Sequence, residues 1–285
     1  MFKFGFSEKN HAKENNIDKE KSTLEWINAS RIELTSFNYD RNFEPDEYLE
    51  TKIFDEIKLK LIRSDQVLCN LIKNNSVNII EAESQHSDLI PAKYEGGLKI
   101  WECTYDLIEY LIKENITFEN KLVLDLGCGT GIIGLVALLK GSLVHFQDYN
   151  AEVIKSVTIS NVLLNFENKR KILDKCEFYC GDWASFVNLF NKDENQKYDF
   201  IFTSETIYNP DNHRKLYEVF KKRLKPNGIG FVAAKTYYFG VGGGMRQFET
   251  IVKEDQMFDT EVVWKNSQGL QREILKLTWL KNKIK

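Results

Sequence analysis

No apolar run in the sequence approaches the roughly 20 residues of a membrane-spanning helix, so no membrane partner is expected. The opening MFKFGFSEKN has neither a continuous apolar core nor a small-residue cleavage site, and it does not read as a secretory signal. Basic charge is not in excess. A formal net charge of −3 argues against a dedicated nucleic-acid binder, and no direct nucleic-acid readout is expected, although a local basic patch is left open. Cysteine is sparse and scattered: Cys69, Cys103, Cys128, Cys176 and Cys180 form no pair of C-x-x-C elements, so no metal site is expected. Cys176 and Cys180 share a strand-like run and read as small apolar packing groups of a reduced, intracellular chain. No internal repeat is visible. With 42% hydrophobic and 28% charged residues, the 285-residue chain has the composition of an ordinary globular protein: one large domain plus an extension.

What is present is organised around Lys121–Gly134, KLVLDLGCGTGIIG. A short apolar run, Leu122–Leu126, ends in Gly127, Gly129 and Gly131, and the helix-compatible Ile132–Leu139 follows at once. That order predicts a parallel strand, a tight turn and a helix entrance. Leu143–Gln147 reads as a second buried strand with Asp148 at its end. An acid there, roughly 20 residues past the glycines, can hold both hydroxyls of a ribose. Dinucleotide folds use such glycines for a pyrophosphate. Here Asp125 stands just before the first glycine, and a carboxylate there would repel a diphosphate but suits an ammonium. DLGCGTG is therefore read as a site for S-adenosylmethionine, whose methionine end is zwitterionic and whose sulfonium is positive. The three-cysteine cluster of radical enzymes that use this molecule is absent. A glycine turn with no ligand is the plainer alternative.

The candidate cofactor residues follow from that reading. Gly127, Cys128, Gly129 and Gly131 hold the methionine end near Asp125, and Asp148 takes the ribose. Gly181, Asp182 and Trp183 flank the adenine, with Asp182 in reach of its amino group; Tyr149, Asn150 and Ser204 complete the set.

Along the chain, residues 1–22 are polar and read as a flexible segment, with Phe2, Phe4 and Phe6 alternating as a short strand or docking tag would. Residues 23–87 hold short mixed elements, with Arg31–Tyr39 and Val77–Glu81 strand-like and Lys52–Ile62 alternating, and are taken as an α+β extension packing on the core. Residues 88–285 form the main domain. Cys103–Lys113 and Glu152–Leu164 are expected as helices, Glu177–Cys180 and Tyr198–Thr203 as strands, and Asn212–Leu224 as a helix stopped by a turn at Lys225–Gly228. Gly230–Ala234 is a strand, Gln247–Lys253 a helix, and Glu261–Trp264 with Ile274–Leu280 a closing antiparallel pair. This alternation predicts an α/β, doubly wound, Rossmann-like sheet with Asp125, Asp148, Asp182 and Glu205 at its strand ends, where ligands bind. Gly96–Gly97 marks a turn approached by a ligand or another backbone, and Trp101 is either a core anchor or a pocket wall.

Over 88–285 the constellation resembles the class I, seven-strand methyltransferases. SDLIPAKYEGGLKIWE (87–102), LDLGCGTG, HFQDYN, TSETIYNP and YFGVGGGMRQF (238–248) are similar to the protein-histidine methyltransferases, as is the opening FKFGF. The resemblance implies transfer of a methyl group to the remote ring nitrogen (Nτ) of a histidine in a large-subunit ribosomal protein, before or during ribosome assembly. It also implies a monomeric enzyme of the cytoplasm, with the nucleus as a second location, and places Trp101 on the cofactor wall. Lysine-directed neighbours carry an acid-x-x-aromatic motif, which is Glu205–Tyr208 here. A neutral histidine needs only its tautomer fixed, and Glu205 is the candidate acceptor for the other ring N–H, with Tyr208, Tyr237 and Tyr238 as pocket walls. Alternatively Glu205 only positions a loop. Gly242, Gly243 and Gly244 either shape the substrate entrance or merely loosen a loop. A lysine methyltransferase and a non-catalytic chaperone of a ribosomal protein remain the rival functions.

Overall fold

The computed structural model describes residues 25–34, 42–54, 57–73, 77–84, 87, 89–190 and 196–283; the phenylalanines of the opening segment and the end of the Arg31–Tyr39 run lie outside them. The chain starts with β1 (Ser30–Arg31), a hairpin of β2 (Tyr48–Phe54) and β3 (Ile57–Ile62), and helices α1 (Ser64–Lys73), α2 (Val77–Ser84) and α3 (Glu102–Lys113). Then come β4 (Leu122–Leu126), α4 (Ile132–Leu139) and β5 (Leu143–Asp148). A continuous helical stretch follows: α5 (Ala151–Val153), a π-helical turn (Ile154–Thr158) and α6 (Ile159–Leu164). The remainder is α7 (Lys169–Leu173), β6 (Cys176–Cys180), α8 (Trp183–Leu189), β7 (Tyr198–Ser204), α9 (His213–Arg223), β8 (Leu224–Lys235), α10 (Met245–Asp255), β9 (Phe258–Lys265) and β10 (Arg272–Trp279).

Among the described residues eight strands form one sheet in the order β1-β6-β5-β4-β7-β8-β10-β9. The five from β6 to β8 are parallel, and β10 pairs antiparallel with both β8 and β9. This is the expected doubly wound architecture, with β4 central and the crossovers departing to either side of it, so the carboxyl ends of β4, β5 and β7 frame a crevice. Seven of these strands belong to the expected core; the eighth, β1, pairs antiparallel with β6, so the N-terminal extension enters the sheet itself. The strands read as near-continuous apolar runs because both faces are covered, and Val123, Leu124, Phe146, Ile201 and Phe202 are fully buried. Helix α4 is apolar all round because it is itself wrapped, with every residue from Ile132 to Leu138 buried.

Two expectations need correction. Val77–Glu81, expected as a strand, lies in α2, where Ile79 and Ala82 are buried at the i, i+3 spacing of a helix face. Lys225–Gly228, expected as a turn, runs extended at the start of β8. Its pairing with β7 shifts between Tyr198↔Leu224 and Phe200↔Ile229, so the extra residues form a bulge that accommodates a proline without an N–H to donate. Lys52–Ile62 resolves into a hairpin docked on α6: Ile62 N–H donates to Asn161 Oδ1 (2.8 Å), and Asn165 bonds both polar groups of the Lys60 backbone. All five cysteines are free, and Cys176 and Cys180 pack in the core as expected. Among the described residues no helix is long and apolar enough to cross a membrane.

Candidate cofactor and active site

A cavity opens at the carboxyl ends of the parallel strands. Its floor is the glycine turn between β4 and α4. Cys128 N–H donates to Gln147 O (2.8 Å) and Gly129 N–H to Asp148 Oδ2 (2.8 Å), so the end of β5 holds the loop open as a cradle. Gly129 has φ +50, and a Cβ there would sit 3.0 Å from Gly97 O; the Gly96–Gly97 turn and the glycine loop touch backbone to backbone. From below, Thr158 in the π-helical turn donates to Gly129 O (2.7 Å) and Asn161 to Thr130 O (2.8 Å). The π turn is a local irregularity that serves the site, a common use of such turns.

Twelve of the sequence-derived site residues line this cavity: Trp101, Gly127, Cys128, Gly129, Asp148, Tyr149, Gly181, Asp182, Trp183, Ser204, Glu205 and Tyr208. Asp148 is buried, and its Oδ1 accepts the Asn150 N–H (3.1 Å). Burial pushes its carboxyl up to about 6, the backbone N–H donors opposing the rise. Asp182 caps α8 through Ala184 N–H (3.0 Å) and pairs with Lys215 Nζ (2.8 Å). Trp183 Nε1–H donates to Gln147 Oε1 (2.8 Å), while Gln147 Nε2 donates to Gly181 O (2.8 Å), so one buried glutamine ties the loop after β6 to β5.

The other predicted residues stand elsewhere. Asp125 is buried behind the loop, accepting Gly134 N–H (2.8 Å) at the first turn of α4, and burial raises its carboxyl to about 7; it holds the helix entrance and is not on the cavity wall. Gly131 lies over Thr158, also off the wall, and Asn150 clamps the backbone of Lys93 and Glu95. Tyr237, expected as a pocket wall, is 48% exposed and pairs edge-on with Phe239 outside the cavity. Tyr238 lies behind the wall and donates to Glu205 Oε2 (2.6 Å). None of the three glycines lines the cavity, and two are not slack: a Cβ on Gly243 would meet Tyr208 O at 2.2 Å and one on Gly244 would meet Thr236 O at 2.3 Å, so the turn is clamped against the loop after β7, while a Cβ on Gly242 would stand in open space.

Sequence reasoning missed Glu95, Trp26 and Gln147. Glu95 sits on the wall and accepts the Tyr208 hydroxyl, bridging the 90–101 segment to the loop after β7, and burial raises its carboxyl. Its place before Gly96–Gly97 was the available signal. Gln147 precedes Asp148 on a buried strand, where a polar residue must be bonded. Trp26 gave no signal, since its position depends on a distant chain crossing.

Glu205 breaks two local rules. It has φ +57, a left-handed conformation costly for a non-glycine residue, and its Oε1 is buried without a hydrogen-bond partner. Lys235 Nζ stands 3.8 Å from that oxygen and 3.2 Å from Glu102.

The chemistry of the wall discriminates between ligands. Among the described residues it carries four carboxylates, Glu95, Asp148, Asp182 and Glu205, against one cation, Lys99. That field repels a pyrophosphate and favours a ligand with positive charge beside a ribose. With aromatic walls, an acid at the end of β5 and a backbone cradle, the site fits S-adenosylmethionine, which supplies an activated methyl group on a sulfonium. Fold and cavity together define a class I methyltransferase that uses this cofactor.

The family follows from comparison with known proteins. A family described as "Lysine methyltransferase" matches residues 91–238. The chain is 42% identical over 257 residues to Histidine protein methyltransferase 1 homolog of Bos taurus, covering 81% of this chain and 69% of that one. It is 39% identical to the Rattus norvegicus homolog, covering 82% and 72%, and 44% identical to the Dictyostelium discoideum homolog, covering 70% and 62%. The chain belongs to the histidine protein methyltransferase family and is a protein-histidine N-methyltransferase dependent on S-adenosylmethionine.

The raised carboxyls set a pH dependence. Asp125 and Asp148 keep their protons to higher pH in the folded chain than in the unfolded one. The folded state therefore binds more protons between about pH 4 and 7, and the stability of the free protein falls as pH rises through that window. If Asp148 holds the ribose, cofactor affinity runs the other way, because an ionised carboxylate is the better acceptor for hydroxyls. Calorimetric titration with S-adenosylhomocysteine is expected to show binding about tenfold weaker at pH 5 than at pH 7.5. A flat profile would remove Asp148 from the ribose.

Proposed function

We propose that this enzyme methylates the remote ring nitrogen, Nτ, of a histidine in a large-subunit ribosomal protein. The observation that carries the regiochemistry is Glu205 on the cavity wall, with Oε2 fixed by Tyr238 and Oε1 lacking a hydrogen-bond partner. A histidine side chain with a pKa of about 6.5 is mostly neutral at pH 7, so its attacking nitrogen already bears a lone pair. The near nitrogen then carries the proton, and a carboxylate accepting that N–H selects the tautomer and balances the charge of the forming imidazolium. The displacement is otherwise a matter of alignment, which the rigid loop after β7 supplies through its bonds to β8 and Gly243: Glu205 N–H to Ala233 O (2.9 Å), Gly243 N–H to Tyr208 O (3.0 Å).

The ribosomal substrate is supported by the resemblance of segments 87–102 and 238–248 to the protein-histidine methyltransferases. A cytoplasmic and nuclear, monomeric enzyme that meets its substrate around ribosome assembly follows from the same reading. The test is to incubate the protein with labelled S-adenosylmethionine and a ribosomal extract lacking the endogenous activity, then map the label. Label on one histidine of a large-subunit protein, on Nτ, is expected. Label on lysine, or on protein outside the ribosome, would overturn the proposal.

A further inference from the structure

We propose that the segment 25–32 is a strap that closes the adenine end of the cofactor site, and that Trp26 is the aromatic wall on which the base stacks. Trp26 lines the cavity together with Tyr149, Gly181, Asp182 and Trp183, although it lies far from all of them in sequence. Tyr149 directly follows the ribose-holding Asp148, and Asp182 and Trp183 sit at the end of β6. A base extending from the ribose therefore has Trp26 at its far side.

The ring is held for that role. Its edge-on contact with Tyr149 has centroids 5.7 Å apart. The Lys215 ammonium stands 3.6 Å from the Trp26 centroid and reaches Asp182 at 2.8 Å, yet Lys215 is not on the cavity wall. One side of the indole is thus occupied by a paired cation behind the wall, and the side toward the cavity is the one left for a ligand. An indole polarised by a cation on one face, with carboxylates around it, suits a flat, neutral purine.

The strap is laced down at both ends of the base site. Ile27 N–H donates to the Tyr149 hydroxyl (3.1 Å), and Asp182 N–H donates to Ile27 O (2.8 Å). Ala29 N–H donates to Ser185 Oγ (2.7 Å), and Ser30 then pairs with Cys180 on β6. Gly181 lies directly beneath, where a Cβ would stand 2.5 Å from Ala29 Cα; the two backbones meet because no side chain separates them. Further along, Arg31 pairs with Glu177 and the buried Ile32 donates its N–H to Phe178 O, so the strap is anchored at its β1 end; the part over the base site, 26–29, is held by groups of which two, Tyr149 and Asp182, line the cavity. Strap closure and occupation of the site are therefore coupled, and release of the bound nucleoside requires the strap to lift.

The test uses S-adenosylhomocysteine as probe, with affinity by calorimetry and dissociation by stopped-flow on the full chain. Trp26→Ala is expected to weaken binding roughly tenfold, as loss of a base-stacking aromatic does. Trp26→Phe should restore most of the affinity and Trp26→Leu should not, because leucine replaces the bulk without the π face. Ser185→Ala, which cuts a tether and leaves the wall intact, should speed dissociation severalfold. Thermal melts of the free variants check that each is folded. Equal affinity for Trp26→Phe and Trp26→Leu would reduce Trp26 to packing and overturn the stacking role. An unchanged dissociation rate in Ser185→Ala would overturn the gating role.

Discussion

Asp148→Ala is expected to weaken S-adenosylhomocysteine binding at least about a hundredfold while the chain stays folded. Two ribose hydroxyls donating to an ionised carboxylate contribute about 1.5–3 kcal/mol each, and every 1.4 kcal/mol is about tenfold in affinity. The side chain also accepts the N–H groups of Gly129 and Asn150, so its removal leaves two buried donors and loosens the glycine cradle. Both consequences weaken binding. Stability changes less, because the variant also removes a buried carboxyl that burial disfavours in its charged form. Calorimetry and a thermal melt on the same sample separate the two effects. A dissociation constant within threefold of the parent would mean that the ribose is held elsewhere.

The glycine loop, Asp148 and the strand-helix alternation were legible because each is local: a strand end, a turn and a helix start lie within a few residues, and their chemistry is carried by residue type. Asp125 shows the limit of that legibility. Its position before the first glycine is visible in the sequence, but the direction of its side chain is set by alternation along β4, which sends it to the Gly134 N–H. Glu95 takes its place as a carboxylate on the wall, supplied by a segment some thirty residues upstream. Tyr237 and Tyr238 are neighbours with opposite fates in the loop after β8, one exposed beside Phe239 and one buried against Glu205, and no strand or helix period in the sequence marks which turns inward. The helix of Val77–Ser84 was hidden by a β-branched run, which favours a strand until tertiary packing selects the i, i+3 face. Trp26 depends on a chain crossing to the edge of β6, and no local pattern announces it.

Glu205→Gln is expected to lower turnover about tenfold or more while leaving affinity for S-adenosylhomocysteine unchanged. Glutamine has nearly the same volume, so the tight site at the end of β7 tolerates it, and its carbonyl can still accept the Tyr238 hydroxyl. That bond places the amide NH₂ where Oε1 stands now. The position that accepts no hydrogen bond in the wild-type protein, and has only the Lys235 ammonium 3.8 Å away, would then present donors to the substrate ring N–H, which is also a donor. Charge assistance to the forming imidazolium is lost as well. Together these are worth roughly 1–2 kcal/mol or more of transition-state stabilisation. Tyr238→Phe frees Oε2 and lets the carboxylate turn, so it should lower turnover by a smaller factor and keep the charge. The residual product of both variants should be methylhistidine modified on Nτ, because substrate approach still presents that nitrogen to the methyl group. Parental turnover by Glu205→Gln would return Glu205 to a loop-positioning residue, and product methylated on the near nitrogen would remove it from the choice of tautomer.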